Sequence, residues 1–169
     1  MIYKLRDKNA EEYIKIRREA LLDSPLAFAS SLEDDHSSNL EKIREYLQQG
    51  PDSVIFGAFI EELVGMAGLY RERHKKSSHK AHLWGMYVSP EHRRKGLGIQ
   101  LVRAVINHAK TLPGVEYIHL SVSSAAPEAK HLYESVGFSI WGTESDALRY
   151  NNRAISEHHM VLRLRKDAV

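Results

Sequence analysis

The chain has no cysteine, which excludes disulfides, thiolate zinc sites and a thiol nucleophile, and nothing in the composition calls for an oxidising compartment. It has little net charge. With 24 Lys and Arg against 22 Asp and Glu the balance is +2, too small for global electrostatics to imply a nucleic-acid surface. No apolar run approaches the roughly 18 to 20 residues of a membrane span. The opening residues Met1-Ile2-Tyr3-Lys4-Leu5-Arg6 meet charge at once and lack the apolar stretch of a signal peptide, so a cytoplasmic protein is the expectation. Internal repeats, low-complexity tracts and linkers are also missing. The remaining composition, 43% hydrophobic and 27% charged over 169 residues, suits one soluble domain spanning residues 1–169.

Changes in hydrophobic period divide the chain into elements. Residues 2–6 read as a strand. Asn9 is placed to cap a helix with Tyr13, Ile16, Ala20 and Leu21 on one face, ended by Ser24-Pro25. Ser38 is placed to cap a second helix carrying Leu40, Ile43, Tyr46 and Leu47, stopped by Gly50-Pro51. Residues 54–60 and 63–70, separated by Glu61-Glu62, read as a hairpin, and residues 81–88 as a third antiparallel strand beyond a charged interval. A helix marked by Leu97, Leu101, Val102, Val105, Ile106 and Ala109 follows, then a strand over residues 115–122. Pro127 opens a helix with Ala129, Leu132, Tyr133 and Val136 in one stripe, and Gly137 closes it. Strands 138–150 and 155–164 meet at Asn151-Asn152, residues that tolerate positive φ. The order βααβββαβαββ predicts an α/β domain with a mixed sheet, in which strands 81–88 and 115–122 form a parallel β-α-β pair.

The chemistry concentrates in Val88-Ser89-Pro90-Glu91-His92-Arg93-Arg94-Lys95-Gly96-Leu97-Gly98, between a strand and an amphipathic helix. A helix N-terminus presents unpaired N–H groups and a dipole that favours anions, and glycines let a diphosphate approach the backbone. The spacing is neither that of a P-loop nor G-x-G-x-x-G, which disfavours nucleoside triphosphates and dinucleotides. By itself such a loop is equally a structural turn with solvated charges.

Arg93-x-x-Gly96-x-Gly98 resembles the pyrophosphate loop of the GNAT superfamily of N-acetyltransferases. Trp84-Gly85-Met86-Tyr87-Val88-Ser89-Pro90-Glu91 resembles the family's central strand, and Ala129-x-x-Leu132-Tyr133-x-x-x-Gly137-Phe138 its later helix-and-strand signature. The element order is also the family's. The resemblance implies acetyl-coenzyme A bound in a splay between the two parallel strands. Its pyrophosphate would lie on the backbone of Arg93, Arg94, Lys95, Gly96, Leu97, Gly98 and Ile99. The main chain around Met86, Tyr87 and Val88 would hold the pantetheine arm, with the stretch from Ala126 to Tyr133 along its other side. Ala126 stands where the family often has Asn, so one contact is missing or falls to Ser123 or Ser124.

Acetyl transfer to an amine needs a neutral amine, a stabilised oxyanion and a proton for the thiolate, without a covalent enzyme intermediate. The resemblance makes Tyr133 the general acid, and an ordinary phenol pKa of about 10 keeps it protonated at neutral pH. The residue stripe alone equally describes a packed tyrosine. His82 stands where several family members carry a catalytic glutamate, six residues before Val88. Strand alternation puts His82, Trp84, Met86 and Val88 on one face, and a histidine pKa near about 6.5 suits a base. A strand-end histidine without a catalytic role is the alternative.

No histidine pair has zinc spacing, so no metal is expected. Arg71-Glu72-Arg73-His74-Lys75-Lys76 is read as a solvated connection, with RNA contact as the alternative. Glu33-Asp34-Asp35 is either an attractor for a cationic amine or a solvated helix approach. The expected activity is acetyl-coenzyme A-dependent N-acetylation of a primary amine on a small molecule, amino acid or protein, with no nucleic acid or membrane partner. A silent acyl-coenzyme A sensor and a ribosome- or RNA-associated protein are the competing functions. Two copies pairing through the last strands is compatible with the resemblance.

Overall fold

A computed structural model of the chain describes residues 1–164. The order is β1 (Ile2–Lys4), α1 (Ala10–Asp23), α2 (Leu40–Leu47), β2 (Ser53–Ile60), β3 (Glu62–Arg71), β4 (Lys80–Val88), α3 (Leu97–Thr111), β5 (Tyr117–Ser123), α4 (Pro127–Ser135), β6 (Ser139–Tyr150) and β7 (Arg153–Arg163), matching the expected βααβββαβαββ. The single-domain expectation runs to residue 169, and its last five residues lie outside the described part. Among the described residues no helix is long and apolar enough to cross a membrane.

All seven strands join one sheet in the order β1-β2-β3-β4-β5-β7-β6. Among the described residues only the β4–β5 pair is parallel, as the β-α-β connection requires. Each face of the sheet buries its own core. On one face α3 packs Leu101, Val102, Val105 and Ala109, each 0% exposed, against Ala67, Leu69, Ala81 and Ile118. Burying a side chain of this size contributes roughly 1.5–3 kcal/mol, so the α3 stripe is a main source of cohesion. On the other face α1 and α2 bring Tyr13, Ile16, Ile43 and Leu47 against Ile55, Met66 and Tyr87. That second layer covers the β1–β4 half and reaches no further than Trp84 and Tyr87.

Two expectations about local structure are corrected. The cap of α2 is Asn39, not Ser38: its extended backbone lets its side-chain oxygen accept from the Lys42 amide at 3.0 Å. The strict alternation along β4 also fails. Gly85 has φ +63°, and the β3–β4 register slips between Met66 and Gly68. This bulge turns the strand over. His82 and Trp84 therefore face the α1/α2 layer, whereas Met86 and Val88 pack on the α3 side. At the hairpin between β6 and β7, Asn151 and Asn152 both adopt positive φ, 48° and 60°, which fits the twist of the flanking strands.

Gly68 lies under the Trp84 indole: a Cβ there would stand 2.3 Å from Cε2 and 2.5 Å from Nε1. The indole is in turn held edge-on by Tyr46 at 6.1 Å. Gly68→Ala is expected to displace the ring and destabilise the protein by about 1–3 kcal/mol, read as a fall in Tm of several degrees.

Candidate functional site

The site begins where β4 and β5 part. They pair only at Lys80↔Tyr117, Ala81↔Ile118 and His82↔His119, after which β4 stays with β3 and β5 runs along β7. From Leu83 onward the two facing strand edges have no sheet partner in each other. Backbone donors and acceptors on such edges require a partner from outside the sheet.

At the open end of this wedge, the loop after β4 forms a concave run of amides. Arg94 (φ 59°) and Gly96 (φ 77°) both take the left-handed conformation, and Leu97, Gly98 and Ile99 form the first turn of α3, whose amides have no intrahelical acceptor. The two glycines serve different ends. Gly96 provides the backbone conformation, with only Gln100 within 4 Å of its Cβ position, while Gly98 allows close packing, with Leu132 at 2.8 Å and Met86 at 2.9 Å. The proximity of Leu132 brings α4 against the start of α3.

The three basic residues of the loop also divide. Arg93 is a fastener: its Nε donates to the Val88 carbonyl at 2.9 Å, its Nη2 pairs with Asp23 at the end of α1, and its guanidinium lies 5.5 Å from the Tyr87 ring centroid. Its amide is directed to the Pro90 carbonyl at 3.3 Å. Arg94 and Lys95 are exposed and form no ion pair among the described residues. The free cationic surface of the loop is therefore Arg94 and Lys95. Burial opposes ionisation of Asp23, yet hydrogen bonds from Ser24 and Arg93 outweigh it and hold this carboxyl below its usual range.

Tyr133 on α4 is 5% exposed and stands edge-on to Phe138 at 5.9 Å. Burial alone pushes its phenol above the ordinary value, so it is protonated at neutral pH. Tyr87, beside the loop, donates to Glu19 at 3.1 Å, and burial together with the Glu19 and Asp23 charges raises it as well. Ala126 sits at the N-terminus of α4, which has no side-chain cap. The neighbouring turn is held by Ser123, 1% exposed, whose hydroxyl accepts from the Ala125 amide at 3.1 Å.

His82 lies at the closed end of the wedge on the face opposite Tyr133. Its Nε2 is 2.8 Å from Glu72, its ring stacks on Tyr70 at 4.8 Å, and His119 is 5.7 Å away. Burial, followed by the charges of His82, Lys80 and His79, lowers His119 and favours its neutral form. Beyond the α1/α2 layer the same face carries His159, with Ser121 at 2.8 Å, Glu144 at 3.2 Å and the Trp141 ring stacked at 5.4 Å. Among the described residues no group of three or more His, Asp or Glu is placed to hold a metal ion.

Several residues escaped sequence reasoning. Glu72 looked like part of a solvated charged interval, and only the pairing of β3 with β4 brings it to His82. Arg17 and Asp35 form an ion pair with side chains 8% and 9% exposed, so Asp35 is not a free attractor for a cation. The sequence did contain one signal. Arg17 falls on the buried stripe of α1 with Tyr13, Ile16 and Ala20, an unusual place for a guanidinium.

The Acetyltransferase (GNAT) family model matches residues 14–138. The chain is 32% identical over 60 residues to a spermidine N(1)-acetyltransferase of Vibrio cholerae, covering 36% of this chain and 35% of that protein. It is 39% identical over 57 residues to a mycothiol acetyltransferase of Nocardiopsis dassonvillei, covering 34% and 17%. The aligned parts thus span about a third or less of those relatives. In structure it resembles a GNAT-family acetyltransferase of Streptococcus pneumoniae, with TM-score 0.85, 19% identity and 97% and 98% of the two chains covered. It also resembles a putative acetyltransferase of Salmonella typhimurium solved with its cofactor acetyl-CoA, with TM-score 0.83, 19% identity and 100% and 96% covered.

Because Gly96 sits at φ 77°, Gly96→Ala is expected to cost roughly 1–2 kcal/mol and to distort the amide cradle. Denaturation measures the first effect, and calorimetry with coenzyme A, as the diphosphate-bearing probe, should show weaker binding.

Proposed function

The chain belongs to the GNAT acetyltransferase family, and on that premise we propose that it transfers an acetyl group from acetyl-coenzyme A to a primary amine, by direct attack in a ternary complex. The amine belongs to a small molecule, an amino acid or a protein, and residues 1–169 act as one domain. The observation that carries this reading is the wedge between β4 and β5, which leads to a cradle of amides with Arg94 and Lys95 beside it. This arrangement suits an elongated ligand with a diphosphate at one end. The unpaired edges suit an extended chain carrying amides, and the left-handed loop with the first turn of α3 suits the anion.

Bound acetyl-coenzyme A supplies an acetyl thioester that an amine can attack. Residues 94–99 hold the diphosphate through their amides, and the backbone around Met86, Tyr87 and Val88 orients the pantetheine arm. Tyr87 serves through its main chain, because its phenol is engaged with Glu19. Arg93 keeps the loop fastened to α1.

His82 accepts the proton of the incoming amine through its imidazole, directly or through water. Glu72 orients that ring, the role a carboxylate plays behind a histidine base. Tyr133, protonated because it is buried, donates to the departing sulfur from the opposite face. Base and acid thus act from the two sides of the sheet, so the proton removed and the proton delivered do not compete for one group.

Calorimetry should detect coenzyme A binding at millimolar ligand or below, and a suitable amine should release free thiol; absence of binding overturns the transferase reading. Tyr133→Phe is expected to lower kcat by about 10²-fold or more while cofactor affinity is retained. Since the folded phenol is raised, the wild type should show no alkaline loss attributable to Tyr133 below about pH 10. A silent sensor would bind the cofactor and release no thiol in either form.

The base assignment predicts that His82→Gln lowers kcat/KM by about 10²-fold. Glu72→Gln, nearly isosteric, should lower it by about tenfold or more through the loss of ring orientation. Unchanged turnover in both variants would remove the two residues from the mechanism.

A further inference from the structure

Resting on the transferase reading above, we propose that the acceptor amine is recognised through an oxygen it carries close to the amine, a carboxylate or a carboxamide carbonyl, received by the free Nη1 of Arg17. The acceptor class is therefore amino acid-like. A plain alkylamine or a polyamine without oxygen lacks the recognised group.

The Arg17 guanidinium is held in place. Its Nε and Nη2 donate to one oxygen of Asp35 at 2.9 and 2.8 Å, and the other Asp35 oxygen accepts from the Ser37 amide at 2.9 Å and from the Ser37 hydroxyl. Its Cζ lies 5.1 Å from the Phe28 ring centroid, and the Phe28 and Tyr87 ring centroids are 6.5 Å apart. Of the three guanidinium nitrogens Nη1 alone has no hydrogen-bond partner among the described residues, and it is buried. A charged donor left unpaired in a site 8% exposed is costly, so the position calls for an oxygen from elsewhere.

The location of Nη1 identifies where that oxygen belongs. It is 3.9 Å from the point where a Cβ would stand on Gly85. Gly85 forms the bulge of β4 within the stretch that has left β5, and Arg17 approaches it from the α1/α2 face, the face that also carries His82. Among the described residues Nη1 is the only atom within 4 Å of that Cβ position, and an amine that reaches His82 through water from this side carries a neighbouring oxygen towards α1.

Asp35 balances the Arg17 charge, so the receptor is a polarised donor without excess positive charge. It accepts a neutral carbonyl as well as a carboxylate. Ser37 holds Asp35, so the carboxylate does not turn away to offer itself to a cationic amine instead.

The test is thiol release by wild-type protein with matched sets of amino acids, their amides and the corresponding decarboxylated amines, with spermidine as an oxygen-free polyamine. Oxygen-bearing acceptors should have kcat/KM at least about tenfold above the decarboxylated amines. A preference shared by acids and amides identifies a carbonyl, and one confined to acids a carboxylate; each supports the proposal. The double variant R17M/D35N removes both charges together, leaving no uncompensated ion, and should erase the preference while coenzyme A affinity by calorimetry is unchanged. Comparing ratios between the two proteins cancels the differing basicity of the amines. Equal turnover of decarboxylated amines by the wild type overturns the proposal, whether or not the variant folds, as does a preference that survives in the variant. Coenzyme A binding with no thiol release from any of these amines overturns this inference, whereas absence of coenzyme A binding overturns the transferase reading itself.

Discussion

The constraint on which the rest depends is the short length over which β4 and β5 remain paired. Three residue pairs hold them parallel, and the Gly85 bulge then turns β4 over while β5 turns to β7. A fully zipped pair would satisfy its own backbone and leave nothing for a ligand. Parted strands keep unmatched N–H and C=O groups on their edges, and the free energy of satisfying them becomes available to whatever enters. The same bulge sends His82 to one face and Met86 to the other, so the wedge is approached from both sides of the sheet.

Electrostatics around the wedge is built from neutralised pairs. Arg93 with Asp23 ties the loop to α1, Arg17 with Asp35 anchors the segment between α1 and α2, and His82 with Glu72 closes the far end. Charge around the site is thus largely cancelled locally. Arg94 and Lys95 stand outside this cancellation, beside amides with no helical acceptor, and that leaves positive potential at the open end. The Arg17–Asp35 pair contributes positioning more than stability, because an ion pair in a buried setting gives back most of its attraction as desolvation.

Much of this was legible in the chain. The change from strand to helix period at Pro90, the Pro127 start of α4 and the Asn151-Asn152 turn are local signals, and each appears at its expected place. The Arg-x-x-Gly-x-Gly loop was equally readable, since a helix start after a buried strand is written in adjacent residues. The face assignments along β4 were not, because alternation has no way to register a bulge created by pairing with β3. The separate duties of Arg93, Arg94 and Lys95 were also hidden, as the Asp23 that engages Arg93 is 70 residues away.

By itself the sequence determined the element order, the parallel pair within an antiparallel sheet and the anion-ready loop, since each follows from hydrophobic period, turn chemistry and helix-terminus physics within a few residues. The absent cysteine likewise determined that the chain offers no thiol nucleophile. Only the tertiary structure decided where β4 and β5 separate, which basic side chain is left free, that Glu72 meets His82, and that a buried Arg17 nitrogen lies beside Gly85 without a partner among the described residues. Those outcomes depend on contacts across distant strands and helices, where burial and geometry rather than local preference determine which polar groups are satisfied.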